Sequence, residues 1–384
     1  MKLQIDYDKL MNGLTYVGSV ANSQLSLETN RTVVFAVSQN NLSLYGESAT
    51  IGAITDFEPS EYAYESDNEG DMFQIKTKEL LSFLNTFSVD RTMPTNVDLV
   101  LEGTRLTLTV HEEPLEGQPS YLKNQSHWVF DTTPIKKSTL ENMTINEGED
   151  MVNTELLSIY IGALFPLLSN ADANMNDSKI QFEDTYAYVF TSKTFALFKN
   201  KLPQCMRGIV LGYAGIQLLK QLSAEYDQIL VSKSDEASKI YVSAGNNRMA
   251  IKFSRKMPSY TKMLEALTTD NYFVIDRQML SSVINRLSLT NDKTDLKVNL
   301  QTEMLEVGNK KFHQNLPITE FKGNDLSEFN IGVVTGILKD SILGDDSLYP
   351  EELVIRPTKM DNSWMVTFTD KTDNWLSVFR VASR

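Results

Sequence analysis

Residue types that do chemistry are few in this sequence and poorly spaced for it. His111, His127 and His313 are isolated, with no second His or Cys at i+2 to i+5, whereas zinc sites are built on such short spacings. Cys205 is the single cysteine, so no internal disulfide can form and a structural zinc site lacks its thiolates. There is no glycine-rich phosphate loop and no Gly-x-Ser-x-Gly elbow. Acidic groups such as Asp67-Asn68-Glu69 and Asp345-Asp346 could bind a cation, but a solvated loop has the same composition and is the preferred reading. The expectation is a non-enzyme with no metal and no cofactor.

The remaining chemistry is recognition. The chain carries 36 Lys and Arg against 50 Asp and Glu, a formal net charge of -14, which argues against a protein that adsorbs nucleic acid. Tight non-specific binding comes from a basic surface that displaces counterions. An acidic total leaves one route: enclosing the nucleic acid behind a locally neutral or basic lining, with a negative exterior. The lining must therefore come from particular elements.

Those elements repeat. Met1-Lys2-Leu3-Gln4-Ile5 alternates as a strand and runs into an amphipathic helix at Asp8-Lys9-Leu10, and Phe73 to Leu84 and Phe273 to Ile284 repeat the pattern. Looser copies begin at Met151, Ile209 and Ile331. The spacing of roughly 60 to 75 residues exceeds the ~20–50 of solenoids and propellers. After each helix come three short strands with polar turns: Thr32 to Val37, Leu42 to Tyr45 and Ala49 to Phe57 in the first copy, and the Val97 to Val110 hairpin in the second. Glu58 to Asp71 reads as a solvated loop. A chain of 384 residues needs two or three cores at about 150 residues each. The reading is α+β: six βαβββ units paired into three tandem domains at 1–147, 151–265 and 271–384. About a third of the chain is expected as strand and well below that as helix, with the helices on one face of the sheets. There is neither a signal peptide pattern nor an apolar run of about 18 residues, so a cytoplasmic protein without membrane contact is expected.

On a helical wheel the outward faces are poor in acid. The first helix presents Asp8, Asn12 and Thr15, with Lys9 at its edge, and the second presents Lys78, Ser82 and Asn85. The fourth shows Gln217, Lys220 and Gln221; the fifth, opening at Arg277, shows Gln278, Ser281, Ser282, Asn285 and Arg286; the sixth shows Lys339 and Asp340. The third is the weakest, with Glu155 and Ile159 outward. Solvated faces of chance composition would explain this. So would a lining for a polyanion that must move, where small polar groups and water reach phosphates without locking a register.

The sequence resembles the bacterial DNA polymerase III beta subunit, the sliding clamp, including phage-encoded relatives. The resemblance rests on Met1-Lys2-Leu3-Gln4-Ile5, Asp8-Lys9-Leu10, Leu42-Ser43-Leu44-Tyr45-Gly46, Leu101-Glu102-Gly103-Thr104-Arg105-Leu106, Met257-Pro258-Ser259-Tyr260, Asp276-Arg277-Gln278-Met279-Leu280 and Arg286-Leu287-Ser288-Leu289. It covers all three domains in order. It implies three DNA-clamp domains per chain and a head-to-tail homodimeric ring, helices lining the hole and sheets outside. The ring would be placed around double-stranded DNA by a clamp loader and would tether a DNA polymerase. A structural protein of tandem β-rich domains, such as a virion component, is the alternative, and it leaves the helix faces unexplained.

The resemblance also implies site residues. A partner-peptide pocket would use Thr191, Lys193, Thr194, Phe195, Ala196, Pro258, Met263, Val378, Phe379 and Val381. Here Thr191-Ser192-Lys193-Thr194-Phe195-Ala196 replaces a Thr-Asp-Gly-His-Arg-Leu type segment, so the peptide accepted can differ. Plain core packing of Phe195 and Phe379 is the competing reading. Gln24 replaces the usual arginine of a DNA-contacting loop, and Leu289 falls near the subunit interface.

Overall fold

The structure, a computed structural model, describes residues 1–21, 31–87, 94–112, 125–135, 145–169, 179–190, 194–199, 203–254, 270–290, 293–323, 325–342, 351–360, 362–372 and 375–382. Six strand-helix starts are present. The first unit is β1 (Lys2–Asp6), α1 (Tyr7–Ala21), β2 (Thr32–Val37), β3 (Leu42–Glu47) and β4 (Ile51–Phe57), with an added β5 (Tyr62–Glu65). The second is β6 (Asp71–Lys76), α2 (Thr77–Thr86), β7 (Thr95–Glu102), β8 (Arg105–Glu112) and β9 (Gln125–Asp131), followed by the short β10 (Thr133–Pro134). The third is β11 (Asp150–Asn153), α3 (Thr154–Ser169), β12 (Lys179–Phe182), β13 (Tyr186–Phe190) and β14 (Thr194–Lys199). The fourth is β15 (Ile209–Gly212), α4 (Tyr213–Glu225), β16 (Gln228–Ser234), β17 (Lys239–Ala244) and β18 (Asn247–Lys252). The fifth is β19 (Tyr272–Asp276), α5 (Arg277–Ser288), β20 (Lys293–Asn299), β21 (Met304–Gly308) and β22 (His313–Lys322). The sixth is β23 (Asn330–Val334), α6 (Thr335–Ile342), β24 (Glu352–Met360), β25 (Ser363–Thr369) and β26 (Trp375–Ala382).

The units interlock by exchanging first strands. β1 pairs with β7, while β6 pairs with β2. β15 likewise pairs with β12, and β11 lies beside β16. β19 pairs with β24, and β23 with β20. Neither member of a pair can complete its sheet alone, which makes the pair the folding unit. Strand accounts for 52% of the described residues and helix for 28%, so sheet exceeds the expected third. Part of the excess is β5, which pairs with β1 inside the expected loop Glu58 to Asp71. Its anchors are Tyr62, donating to the Ser38 carbonyl at 2.9 Å, and Tyr64, donating to Asp71 at 2.8 Å.

The chain divides into two compact units, Met1–Val152 with Gln228–Lys252, and Asn153–Asp227 with Phe253–Arg384. In the first, β18 pairs with β4, and a nine-stranded sheet runs from β10 to β11. Leu10, Leu14 and Val17 of α1 are fully buried on it. At Gly46 on β3 a Cβ would sit 2.2 Å from the Val17 carbonyl oxygen. Gly46→Ala is therefore expected to cost at least about 2 kcal/mol, because backbone and not a flexible side chain must yield; chemical denaturation measures it.

In the second unit β14 pairs with β26, and α5 and α6 cover a core containing Phe273, Phe329, Trp364, Phe368 and Phe379. Helix α5 starts where Asp276 accepts a bond from the Met279 amide at 2.7 Å. Asp276→Ala removes that cap and should cost about 1 kcal/mol, read as a lowered denaturation midpoint.

Candidate nucleic-acid interface and partner surfaces

Each interlocked pair brings its two helices together: α1 with α2, α3 with α4, α5 with α6. Gly18 permits the first approach, since a Cβ there would meet Thr77 Cγ2 at 2.9 Å and Leu81 Cδ1 at 3.0 Å. Lys9, Asn12, Lys78, Ser82, Asn85, Gln217, Lys220, Asn285, Arg286 and Lys339 are exposed, and Gln221 is half-buried. Among the described helix residues, exposed cations (Lys9, Lys78, Lys220, Arg286, Lys339) balance exposed carboxylates (Asp8, Glu79, Glu155, Glu225) to within one charge. With a chain total of -14, the negative charge is carried elsewhere.

Two expected lining residues are corrected. Arg277 is 2% exposed and Ser281 7%. They lie one turn apart on the side of α5 that meets α6, where the Arg277 guanidinium donates to the Ile342 carbonyl at 3.5 Å. A wheel drawn for one helix cannot show a partner helix more than fifty residues on. The Lys9 ammonium is also engaged, 2.9 Å from Glu61. Burial pushes the Glu61 carboxyl up, but the bonds from Lys9 and the Glu58 amide outweigh it and hold the carboxyl below its usual value. Lys220 stands over the Phe165 ring at 5.0 Å, which fixes its position without neutralising it. Gln24 lies outside the described residues.

The expected peptide-pocket residues fall on opposite faces of one sheet. Thr194 is registered with Phe379 and Phe195 with Val378, and side chains alternate along a strand. Phe379 and Val381 join the core under the helices, with Phe379 against Phe368 at 5.3 Å; Thr194 and Ala196 point to that same face and are buried. For Phe379, core packing is the correct reading. Phe195 and Val378 point the other way, into a separate cluster with Tyr188 and Leu197, edged by Tyr186, Met365 and Leu376. In the same face Thr367 Oγ1 is buried without a hydrogen-bond partner. Thr191, Lys193, Pro258 and Met263 lie outside the described residues.

Leu289, just past α5, is 86% exposed. Exposed apolar side chains also occur on two sheet-edge strands, Trp128 (56%) and Val129 (51%) on β9 and Val334 (53%) on β23. The sequence reading missed these three, because a strand's place at a sheet edge is set by its pairing with distant strands. Among the described residues no group of three His, Cys, Asp or Glu could hold a metal ion, and no helix is long and apolar enough to cross a membrane.

No protein-family model and no curated protein matches this sequence. Solved structures do match. The Caulobacter crescentus (C. crescentus) beta sliding clamp superposes with a TM-score of 0.75 at 13% identity, covering 100% of this chain and 99% of that one. A DNA polymerase sliding clamp from Bacillus subtilis gives 0.72 at 13% identity, covering 100% and 99%. The DNA polymerase III subunit beta from Pseudomonas aeruginosa gives 0.71 at 16% identity, with both chains covered in full. The chain has the sliding-clamp fold along its whole length.

Proposed function

We propose that this chain, folded as a sliding clamp, is a processivity factor: two copies close head to tail around duplex DNA and tether a polymerase to it. Each copy supplies three domains, at 1–147, 151–265 and 271–384, each one interlocked pair of units. The observation that carries this reading is the near-neutral, small-polar solvent face of the helices in a chain of net charge -14. Retention by such a lining is steric, since strong phosphate contacts would impede sliding. The ring needs no catalytic group, metal or cofactor, and its loading requires a separate clamp loader. A cytoplasmic location follows from the role.

Subunit contact is assigned to Leu289 and to the edge strands carrying Val334, Trp128 and Val129, because exposed apolar edges are templates for pairing between chains. The partner-peptide surface is assigned to the partly buried rim of the Phe195 and Val378 cluster, Tyr186, Met365 and Leu376, together with Thr191, Lys193, Pro258 and Met263. The structural-protein alternative gains no support, since it gives the helix faces no task.

Primer extension by the cognate polymerase tests the reading. With a loader present, product length on circular template should rise at least about tenfold over polymerase alone. Equal stimulation on linear template without a loader would exclude enclosure.

A further inference from the structure

The acidic segment Asn146 to Asp150, at the boundary between the first two expected domains, is a strap bound across the first compact unit. Ile145 packs against Ile54 and Ala250. The Gly148 amide donates to Ser243 Oγ at 3.0 Å, and Ser232 Oγ donates to the Glu147 carbonyl at 3.2 Å. Gly148 is pressed on β16, where a Cβ would lie 2.2 Å from the Leu230 carbonyl oxygen. Arg248 fixes the strap from below, donating to the Ile145 carbonyl at 3.4 Å and pairing with Asp56 and, at 3.9 Å, with Glu147.

Beside the strap opens a pocket of about 440 Å³, within the ~300–1,000 Å³ range of ligand sites. Its apolar lining includes Met151, 65% exposed, and Leu230, 40% exposed. Its polar lining carries three carboxylates, Asp56, Glu58 and Glu147, against the single guanidinium of Arg248, which is already shared between two of them. The groove therefore joins exposed apolar side chains to a net anionic lining, on a strap held by bonds formed before any ligand arrives. Preorganisation of this kind lowers the cost of binding. Its charge repels a nucleic-acid phosphate backbone.

We infer that this groove is a second partner site, distinct from the Phe195 surface, and that it takes a linear peptide bearing Lys or Arg beside a Leu- or Met-sized side chain. The apolar side chain would cover Met151 and Leu230, and the cation would meet Glu58 and the outer oxygen of Glu147. Salt would weaken the contact, since the rim carboxylates are exposed.

The test uses the full-length protein without DNA and two fluorescein-labelled peptides, Gly-Arg-Leu-Leu-Arg-Gly and Gly-Glu-Leu-Leu-Glu-Gly, followed by fluorescence anisotropy. The arginine peptide should bind and the glutamate peptide should not. The double variant Glu58→Gln/Met151→Gln should raise the Kd by about tenfold or more, which is 1.4 kcal/mol. Asp67→Asn/Glu69→Gln, on an acidic loop that does not line the groove, should leave it within about twofold, and so should Leu376→Ser at the Phe195 surface. Both double variants alter exposed side chains, and a thermal melt confirms folding. Equal binding of the two peptides would overturn the inference. So would equal weakening by the groove and acidic-loop variants, which would reveal attraction to an acidic surface in general. Encirclement of DNA can fail without affecting this result.

Discussion

Light scattering on Leu289→Asp at micromolar concentration is expected to give single chains of 43.4 kDa, where the parent protein gives twice that mass. Leu289 is 86% exposed, so no part of its own chain accounts for an apolar side chain at that place. Burying a leucine contributes about 1.5–3 kcal/mol, and a carboxylate in its place adds the cost of desolvating an unpaired charge. A closed two-copy ring contains this contact twice, so each substitution acts twice. Because the residue contributes no burial to the isolated chain, the variant should still unfold cooperatively, and the parent should melt higher only by the concentration-dependent stabilisation that dimer formation supplies. Loss of the dimer with a cooperative melt that no longer depends on concentration separates an interface role from a folding role. A dimer that survives the substitution would remove Leu289 from the interface.

Phe195→Asp should act in the opposite way, by unfolding the second compact unit. Phe195 is 2% exposed and packs tilted against Tyr188, ring centres 5.9 Å apart. A carboxylate there would face the apolar side chains of Leu197 and Val378. Lost apolar burial plus an unpaired buried charge should cost about 4 kcal/mol or more, seen as a large fall in melting temperature. Partner binding lost in this variant would therefore report folding. Leu376, half-buried at the cluster's rim, is the position where Leu→Ser can remove a peptide contact while costing about 1 kcal/mol. A Phe195→Asp protein that melts like its parent would show that this cluster is open and not packed.

The strand-helix repeat was legible because the sequence changes period within a few residues. Lys2 to Asp6 alternates with period two, and from Tyr7 the buried positions Leu10, Leu14 and Val17 follow a helical period. β2 occupies the expected residues, Thr32 to Val37. β5 was not legible, since Glu, Asp and Ser dominate its surroundings; the alternating Tyr62 and Tyr64 were the available signal. Arg277 and Ser281 were misplaced because burial by α6 is a tertiary fact, invisible to a single-helix wheel. The peptide-surface residues rest on the resemblance by position along the chain, which does not distinguish faces, whereas β14 and β26 send alternate side chains to opposite faces. The strap at Asn146 to Asp150 has a linker's composition, and its bonds to Ser232, Ser243 and Arg248 come from residues nearly a hundred positions away.

Retention on DNA is the most direct measurement of enclosure. The protein is loaded on a nicked circular plasmid, free protein is removed, and the bound fraction is followed before and after a single restriction cut. Enclosure predicts that the circle holds the protein through a rise in salt from about 0.05 to 0.5 M, a rise that removes electrostatic binding, and that cutting releases it at low salt as well. Protein that leaves the uncut circle as salt rises, or stays on the cut DNA with open ends, would contradict the account.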